Sequence, residues 1–153
     1  MHTLLFLCTG NYYRSRLAEE VFRKQAEAAE LKWRVDSAGL RVAESTPWNP
    51  GPLSPHAREA MQAWGLTASS GTARMPKQVN GSLLSDAERI IAMSKREHSP
   101  MVQEMLGEHA GRVEYWDIGD VAEEVPASAT RRIRAFTLAL VDELLTGTQH
   151  SSS

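Results

Sequence analysis

Apolar residues in this chain recur with two different periods, and the two alternate from one end to the other. Thr3-Leu4-Leu5-Phe6-Leu7 is a short apolar run that reads as a strand. Leu17, Val21 and Phe22, with Leu31 further along, then recur at helical spacing. Glu19, Glu20, Arg23, Lys24 and Glu27 lie mainly on the opposite face, which predicts a helix over 15–31. Trp33-Arg34-Val35-Asp36-Ser37 alternates as a second strand, stopped by Ala38-Gly39. Residues 40–55 collect Pro47, Asn49, Pro50, Gly51, Pro52 and Pro55, a surface excursion too short to link two domains. Ser54 or Pro55 opens a helix through Ala63, with Gly65 as its stop. The stretch 66–81 is irregular, and Ser85-Asp86-Ala87-Glu88 has the pattern of a short helical turn before a strand at Arg89–Ala92. Ser99-Pro100 introduces a helix to about Leu106, broken by Gly107 and Gly111, and Arg112–Trp116 is the fourth strand. A last helix, Ala127–Leu145, carries Ile133, Phe136, Leu140, Val141 and Leu144 on its core face. Strands separated by helices make βαβ units, so the expected class is α/β, a parallel sheet wound with helices on both faces. One domain should span 1–146, followed by a polar, frayed tail over 147–153.

Composition narrows the setting. A chain of 153 residues is long enough for one ordinary core, and 42% hydrophobic with 24% charged residues is the balance of a soluble globular protein. A net charge of −2 argues against a broad nucleic-acid or membrane patch. No basic, apolar leader opens the chain and no apolar run approaches a membrane span, so the expected location is the cytoplasm. One cysteine permits no internal disulfide and no multi-cysteine zinc site. His2, His56, His98, His109 and His150 show no ligand spacing; His98 and His109 read as surface or helix-end residues, and neither a metal nor a cofactor is expected.

The candidate chemistry is concentrated between the first strand and the first helix, in Cys8-Thr9-Gly10-Asn11-Tyr12-Tyr13-Arg14-Ser15. A strand that ends in a small loop and opens a helix aims several N–H groups at one point, where the helix terminus adds partial positive charge. Cys8 stands at the entrance of that loop and Arg14 at its exit. A thiol beside a helix N-terminus and a guanidinium is held as thiolate, which can attack phosphorus without a separate base. Arg14 can meet two phosphoryl oxygens at once. Gly10 and Asn11 are the residue types that best tolerate positive φ, as inward-turned amides require. Ser15 can donate a hydrogen bond to the Cys8 sulfur. The competing reading, a cysteine that is merely a small buried hydrophobe, leaves Arg at +6, Ser at +7 and the Gly-Asn pair unexplained.

Cys-x5-Arg-Ser near the N-terminus, with Gly-Asn inside it and Ala18-Glu19 following, resembles the low-molecular-weight protein tyrosine phosphatase family. Asp36-Ser37-Ala38-Gly39 and Ile90-Ile91-Ala92-Met93 resemble the segments of that family after its second strand and along its third. The resemblance implies a three-layer α/β/α domain with a four-stranded parallel sheet in the order 2-1-3-4. It also implies that Ser37 bonds the Asn11 side chain and holds the loop, where a plain turn role is the alternative. Tyr12 falls on the specificity position beside Gly-Asn, and Tyr13 stands where many relatives have a second cysteine. Trp48 matches an aromatic often found beside the pocket, with simple packing as its other role. The family's Met-Asp is here Met93-Ser94, so a carboxylate behind the loop is missing.

The same resemblance locates a general acid. Trp116-Asp117-Ile118-Gly119-Asp120-Val121 matches a Trp-Asp-Ile-Pro-Asp-Pro pattern, which places Asp120 at the acid and leaves Asp117 as the alternative. Both prolines are absent, so this loop is expected to be less rigid, and Val121-Ala122-Glu123-Glu124 adds charge where pocket aromatics are usual. The expected function is a cysteine-dependent phosphomonoester hydrolase acting through a cysteinyl phosphate on protein phosphotyrosine or small aryl phosphates. Cys8, Arg14 and Asp120 would be catalytic, with Thr9, Gly10, Asn11, Tyr12, Tyr13 and Ser15 binding the phosphate or another oxyanion, and Ser37 and Trp48 supporting them. The rival readings are an arsenate reductase using an external thiol and a non-catalytic phosphate-binding module.

Overall fold

The computed structural model describes residues 1–66 and 74–151, with residues 148–151 by backbone alone. Strands β1 (His2–Cys8), β2 (Trp33–Gly39), β3 (Arg89–Ala92) and β4 (Val113–Tyr115) form one parallel sheet in the order β2-β1-β3-β4. The α/β class and the strand order are those expected. Because β2 lies on one side of β1 and β3 on the other, the connection reverses at the C-terminal end of β1, where open α/β sheets hold their ligands.

Alternation along β1 divides the core. Leu4 and Phe6 pack with residues of α1 (Arg14–Ala28), α3 (Pro55–Ala63) and α6 (Pro126–Ser151). Leu5 and Leu7 pack on the other face with Leu84 of α4 (Gly81–Asp86) and Val102 of α5 (Lys95–Met105). Helix α2 (Val42–Ser45) and a 3-10 turn, Thr46–Trp48, lie within the proline-rich excursion. No described helix is long and apolar enough to cross a membrane.

Several boundaries differ from expectation for identifiable reasons. Helix α1 stops at Ala28 rather than Leu31, because Glu30 takes the left-handed conformation (φ 56°) and the Leu31 amide bonds back to the Ala26 carbonyl. Strand β2 runs on through Ala38 and Gly39, which pair with Leu7 and Cys8. The helical turn expected at Ser85–Glu88 is the longer α4, begun by an Asn80 cap on the Leu83 amide. Helix α5 begins at Lys95, not at Ser99-Pro100, because the Ser94 hydroxyl caps the Glu97 amide; Pro100 sits inside the helix and forgoes one backbone bond. Strand β4 is Val113–Tyr115, shorter at both ends than Arg112–Trp116. The tail expected to fray from residue 147 continues α6 to Ser151. Part of the stretch read as irregular, residues 67–73, lies outside the described residues.

Candidate active site

The loop between β1 and α1 sits at the switch point, and its shape is fixed by side chains from far along the chain. Asn11 has φ 51°, the left-handed conformation expected of it. Gly10 does not share it; a Cβ there would lie 2.6 Å from Asn49 Nδ2 and 3.1 Å from Ser45 Cβ, so those side chains would have to shift to admit one. Gly39 answers the same demand from β2, where a Cβ would stand 2.9 Å from the Thr9 carbonyl and 3.1 Å from the Asn11 nitrogen.

The Asn11 amide uses all of its hydrogen-bonding capacity. Its Nδ2 donates to Ser15 Oγ and Ser37 Oγ, each at 2.9 Å. Its Oδ1 accepts from Arg74 Nη1 at 3.0 Å and from the Lys77 amide at 3.1 Å. This pattern sets proton directions along the network. Ser15 Oγ accepts from Asn11, so its own hydrogen is free for Cys8 Sγ, 2.9 Å away. Ser37 Oγ donates to Glu19 Oε1 at 2.5 Å, and Arg74 Nη2 joins both at 3.1 Å.

Cys8, Thr9, Gly10, Tyr12, Tyr13, Arg14, Ser45, Trp48, Asn49, Glu97 and Asp120 line one cavity of about 230 Å³. Arg14, only 2% exposed, faces it from the first turn of α1, and its Nη2 stands 4.0 Å from Asp120 Oδ2. Asp120 lines this cavity; Asp117 does not, being exposed and bridged through its backbone to Ser94. Trp48 reaches the mouth with 82% of its surface exposed. The Tyr12 hydroxyl donates to the Pro50 carbonyl at 2.6 Å, which pins its ring beside that mouth. Tyr13 is buried, with its ring 5.9 Å from that of His56, and its hydroxyl has no partner among the described residues. Burial, and next the charge of Asp120, push its pKa up to about 12, so it stays a neutral phenol.

The loop that carries Asp120 has a brace where the matching pattern would have prolines. Glu124 Oε1 accepts from the Gly119 amide at 3.0 Å and from Arg132 at 2.8 Å, and its other oxygen accepts from Ser128 at 2.7 Å. Burial works against this carboxylate, but those hydrogen bonds outweigh it and hold its pKa below the ordinary range. The charge read from sequence as a departure from the pocket pattern therefore fastens Gly119 to α6.

Five further residues escaped the sequence reading. Glu19, assigned to the polar face of α1, is buried between Arg23 and Arg74. Arg16 is buried and donates to the carbonyls of Asn11, Pro52 and Arg74; burial and then Arg74 lower its pKa to about 10. His98, read as a surface or helix-end residue, does sit in the first turn of α5 but is fully buried there. Glu97 forms a fork with Arg14, at 3.0 Å to Nη1 and 2.7 Å to Nη2. Arg74 carried no signal at all, since its partners lie 37 to 63 positions away in sequence. Among the described residues no group of His, Cys, Asp and Glu could hold a metal ion.

The family model for low molecular weight phosphotyrosine protein phosphatase matches residues 3–125. The chain belongs to that family. It is a cysteine-dependent phosphatase by class. Among low molecular weight phosphotyrosine protein phosphatases and their kin, a protein-arginine-phosphatase of Bacillus subtilis is 27% identical over 110 residues, covering 72% of this chain and 67% of the relative. An arsenate reductase of Brevibacillus brevis is 30% identical over 120 residues, covering 78% and 77%. The YwlE arginine phosphatase, solved as a cysteine-to-serine mutant with a phosphorylated active-site serine, superposes with a TM-score of 0.76 at 20% identity, covering 93% of this chain and 95% of that one.

Proposed function

We propose that the chain hydrolyses phosphomonoesters through a phosphoryl group carried on Cys8, with protein phosphotyrosine or small aryl phosphates as substrates. The observation that carries this reading is the cavity whose wall includes Cys8, Arg14 and Asp120 together. In the first step the Cys8 thiolate attacks phosphorus and the P–O bond to the leaving group breaks. Asp120 gives its proton to the departing oxygen. In the second step water attacks the cysteinyl phosphate, Asp120 takes the proton, and the sulfur leaves as thiolate, eased by the Ser15 hydroxyl 2.9 Å away. Loop amides and Arg14 hold the equatorial oxygens throughout, where fixed donors do most of the work. The phosphorylated serine in the YwlE mutant supports a covalent phosphoryl step.

Tyr12 and Trp48 at the cavity mouth offer flat apolar faces that favour an aryl leaving group over an alkyl one. Tyr12→Ala should therefore narrow the preference for phenyl over alkyl phosphate, measured as a ratio of kcat/KM, by about three- to tenfold. An unchanged ratio removes Tyr12 from substrate selection.

Turnover of p-nitrophenyl phosphate, phenyl phosphate, a phosphotyrosine peptide and a phosphoarginine peptide by the native protein and Asp120→Asn tests the reading. Loss of the acid should lower kcat on phenyl phosphate by about 10²- to 10³-fold, and by less on p-nitrophenyl phosphate, whose leaving group needs less help from a proton. Equal losses on both esters would remove Asp120 as the acid. Reduction of arsenate with a small thiol donor, in the absence of ester turnover, would favour the reductase; with only Cys8 to work with, that route depends on external sulfur.

A further inference from the structure

Ser94-Lys95-Arg96-Glu97 has the sequence of a capping box, in which the fourth residue would reach back to the amide of the first. Only half of that box forms. Ser94 Oγ accepts the Glu97 amide at 3.2 Å, but the Ser94 amide donates to Nδ1 of His98 at 3.1 Å. His98 takes the job the Glu97 side chain would have had, and the carboxylate is released to reach across to Arg14. With Nδ1 accepting, the ring hydrogen lies on Nε2, which stands 3.0 Å from both the Thr9 hydroxyl oxygen and Glu97 Oε2. The same oxygen accepts from the Thr9 hydroxyl, in the residue next to Cys8. Burial opposes the charge on Glu97, but the bonds from His98 and Arg14 overcome it and keep the carboxyl far below its ordinary pKa.

The valences of Arg14 show what this arrangement does. A guanidinium has five N–H bonds in a rigid plane. Glu97 takes one from Nη1 and one from Nη2, and the Ile118 carbonyl takes the other from Nη1 at 2.9 Å. Left without an acceptor among the described residues are Nε–H and the second Nη2 hydrogen, which form a single two-donor edge; Nη2 is the atom nearest Asp120. That edge is the fork a phosphoryl group can use. An Arg14 free to rotate would present any of its edges; one gripped at its far end by Glu97 and Ile118 presents this one.

We propose that Glu97 is a positioning residue for the phosphatase reaction, turning the Nε–Nη2 edge of Arg14 toward the phosphoryl group and tying Thr9 to the same carboxylate. The proposal rests on the phosphatase reading above. It also accounts for how a chain with Ser94 in place of an acidic residue after Met93 still supplies a carboxylate behind the loop, from one helical turn further on.

Steady-state kinetics on p-nitrophenyl phosphate with Glu97→Gln, Arg14→Lys and the double variant tests it, with thermal melts as the check on folding. Glu97→Gln keeps the shape and puts an amide N–H against the guanidinium; its kcat should fall about 30- to 100-fold. Because Glu97 acts through the fork, the same change in the Arg14→Lys background, where no fork exists, should cost less than about threefold. Native-like kcat in Glu97→Gln overturns the proposal. A full, undiminished loss in the Lys background also overturns it, since Glu97 would then serve the fold at large. Faster turnover with tighter inhibition by inorganic phosphate overturns it too, by showing Glu97 to be a competitor for Arg14. Should Glu97→Gln not fold, Glu97→Asp decides in the same way: it keeps the charge but shortens the reach, and kcat equal to the native value counts against the proposal. Absence of turnover in the native protein would sink the phosphatase reading instead, so the two failures are distinguishable.

Discussion

Cys8→Ser is expected to remove turnover of p-nitrophenyl phosphate by on the order of 10⁴-fold or more while leaving the fold intact. Serine is close in size to cysteine, and position 8 is buried at the end of β1 beside Ser15, so the exchange fits the site. What changes is the chemistry. A hydroxyl has no acidic proton to lose at neutral pH, and any serine phosphate that did form would be a poor leaving group in the second step. Binding of inorganic phosphate should survive, because the loop amides and Arg14 are untouched. Retention of more than about 1% of native kcat, a loss of under 10²-fold, would show that the sulfur is not the nucleophile. Loss of phosphate binding along with turnover would show that Cys8 shapes the loop rather than attacking.

Arg14→Lys should cost about 10³-fold in kcat/KM, or roughly 4 kcal/mol of transition-state stabilisation. Charge is kept in this variant but the fork is not: an ammonium cannot bond Glu97 at two points, reach the Ile118 carbonyl and still offer two parallel donors to a phosphoryl group. Burial opposes the positive charge at this position, and Glu97, Cys8 and Asp120 more than restore it in the native protein, raising the Arg14 pKa above its ordinary value. The measurement is kcat/KM alongside the inhibition constant for inorganic phosphate. A larger loss in kcat/KM than in phosphate affinity is expected, because two aligned donors matter most when charge has spread over the equatorial oxygens. Equal losses would assign Arg14 to ground-state binding alone.

The cradle could be read from the sequence because its parts are neighbours in the chain: Cys8, Asn11, Arg14 and Ser15 are held in register by a strand end and a helix start. Ser37 was legible for a similar reason, since parallel pairing of β1 with β2 brings Ser37 opposite Phe6 and sets its side chain within reach of Asn11. The bracing residues follow no such local rule. Glu19 looked exposed because helical periodicity sorts residues by polarity, and a carboxylate paired with Arg23 and Arg74 can be buried without violating the physics of either face. Glu97 and His98 were hidden by a helix start misplaced at Ser99-Pro100, where the proline signal outweighed a serine cap five residues earlier. Gly10 is expected in the loop for its conformational freedom, whereas the structure gives it no positive φ and crowds its Cβ direction with Asn49 and Ser45, which leaves no trace in local sequence. Strand order and layers were accessible through the resemblance, whereas the exact ends of β2, β4 and α6 depend on pairing and packing partners.

With the buried phenol of Tyr13 at the position where a second cysteine could stand, the only thiol of this chain has no second thiol beside it. A peroxide that converts the Cys8 sulfur to a sulfenic acid finds no second thiol in the chain with which to close a protective disulfide, so oxidation onward to the irreversible sulfinic acid is expected unless an external thiol intervenes. Persistence of this phosphatase under oxidative stress is thus delegated to the thiols of its medium rather than to a second cysteine of its own.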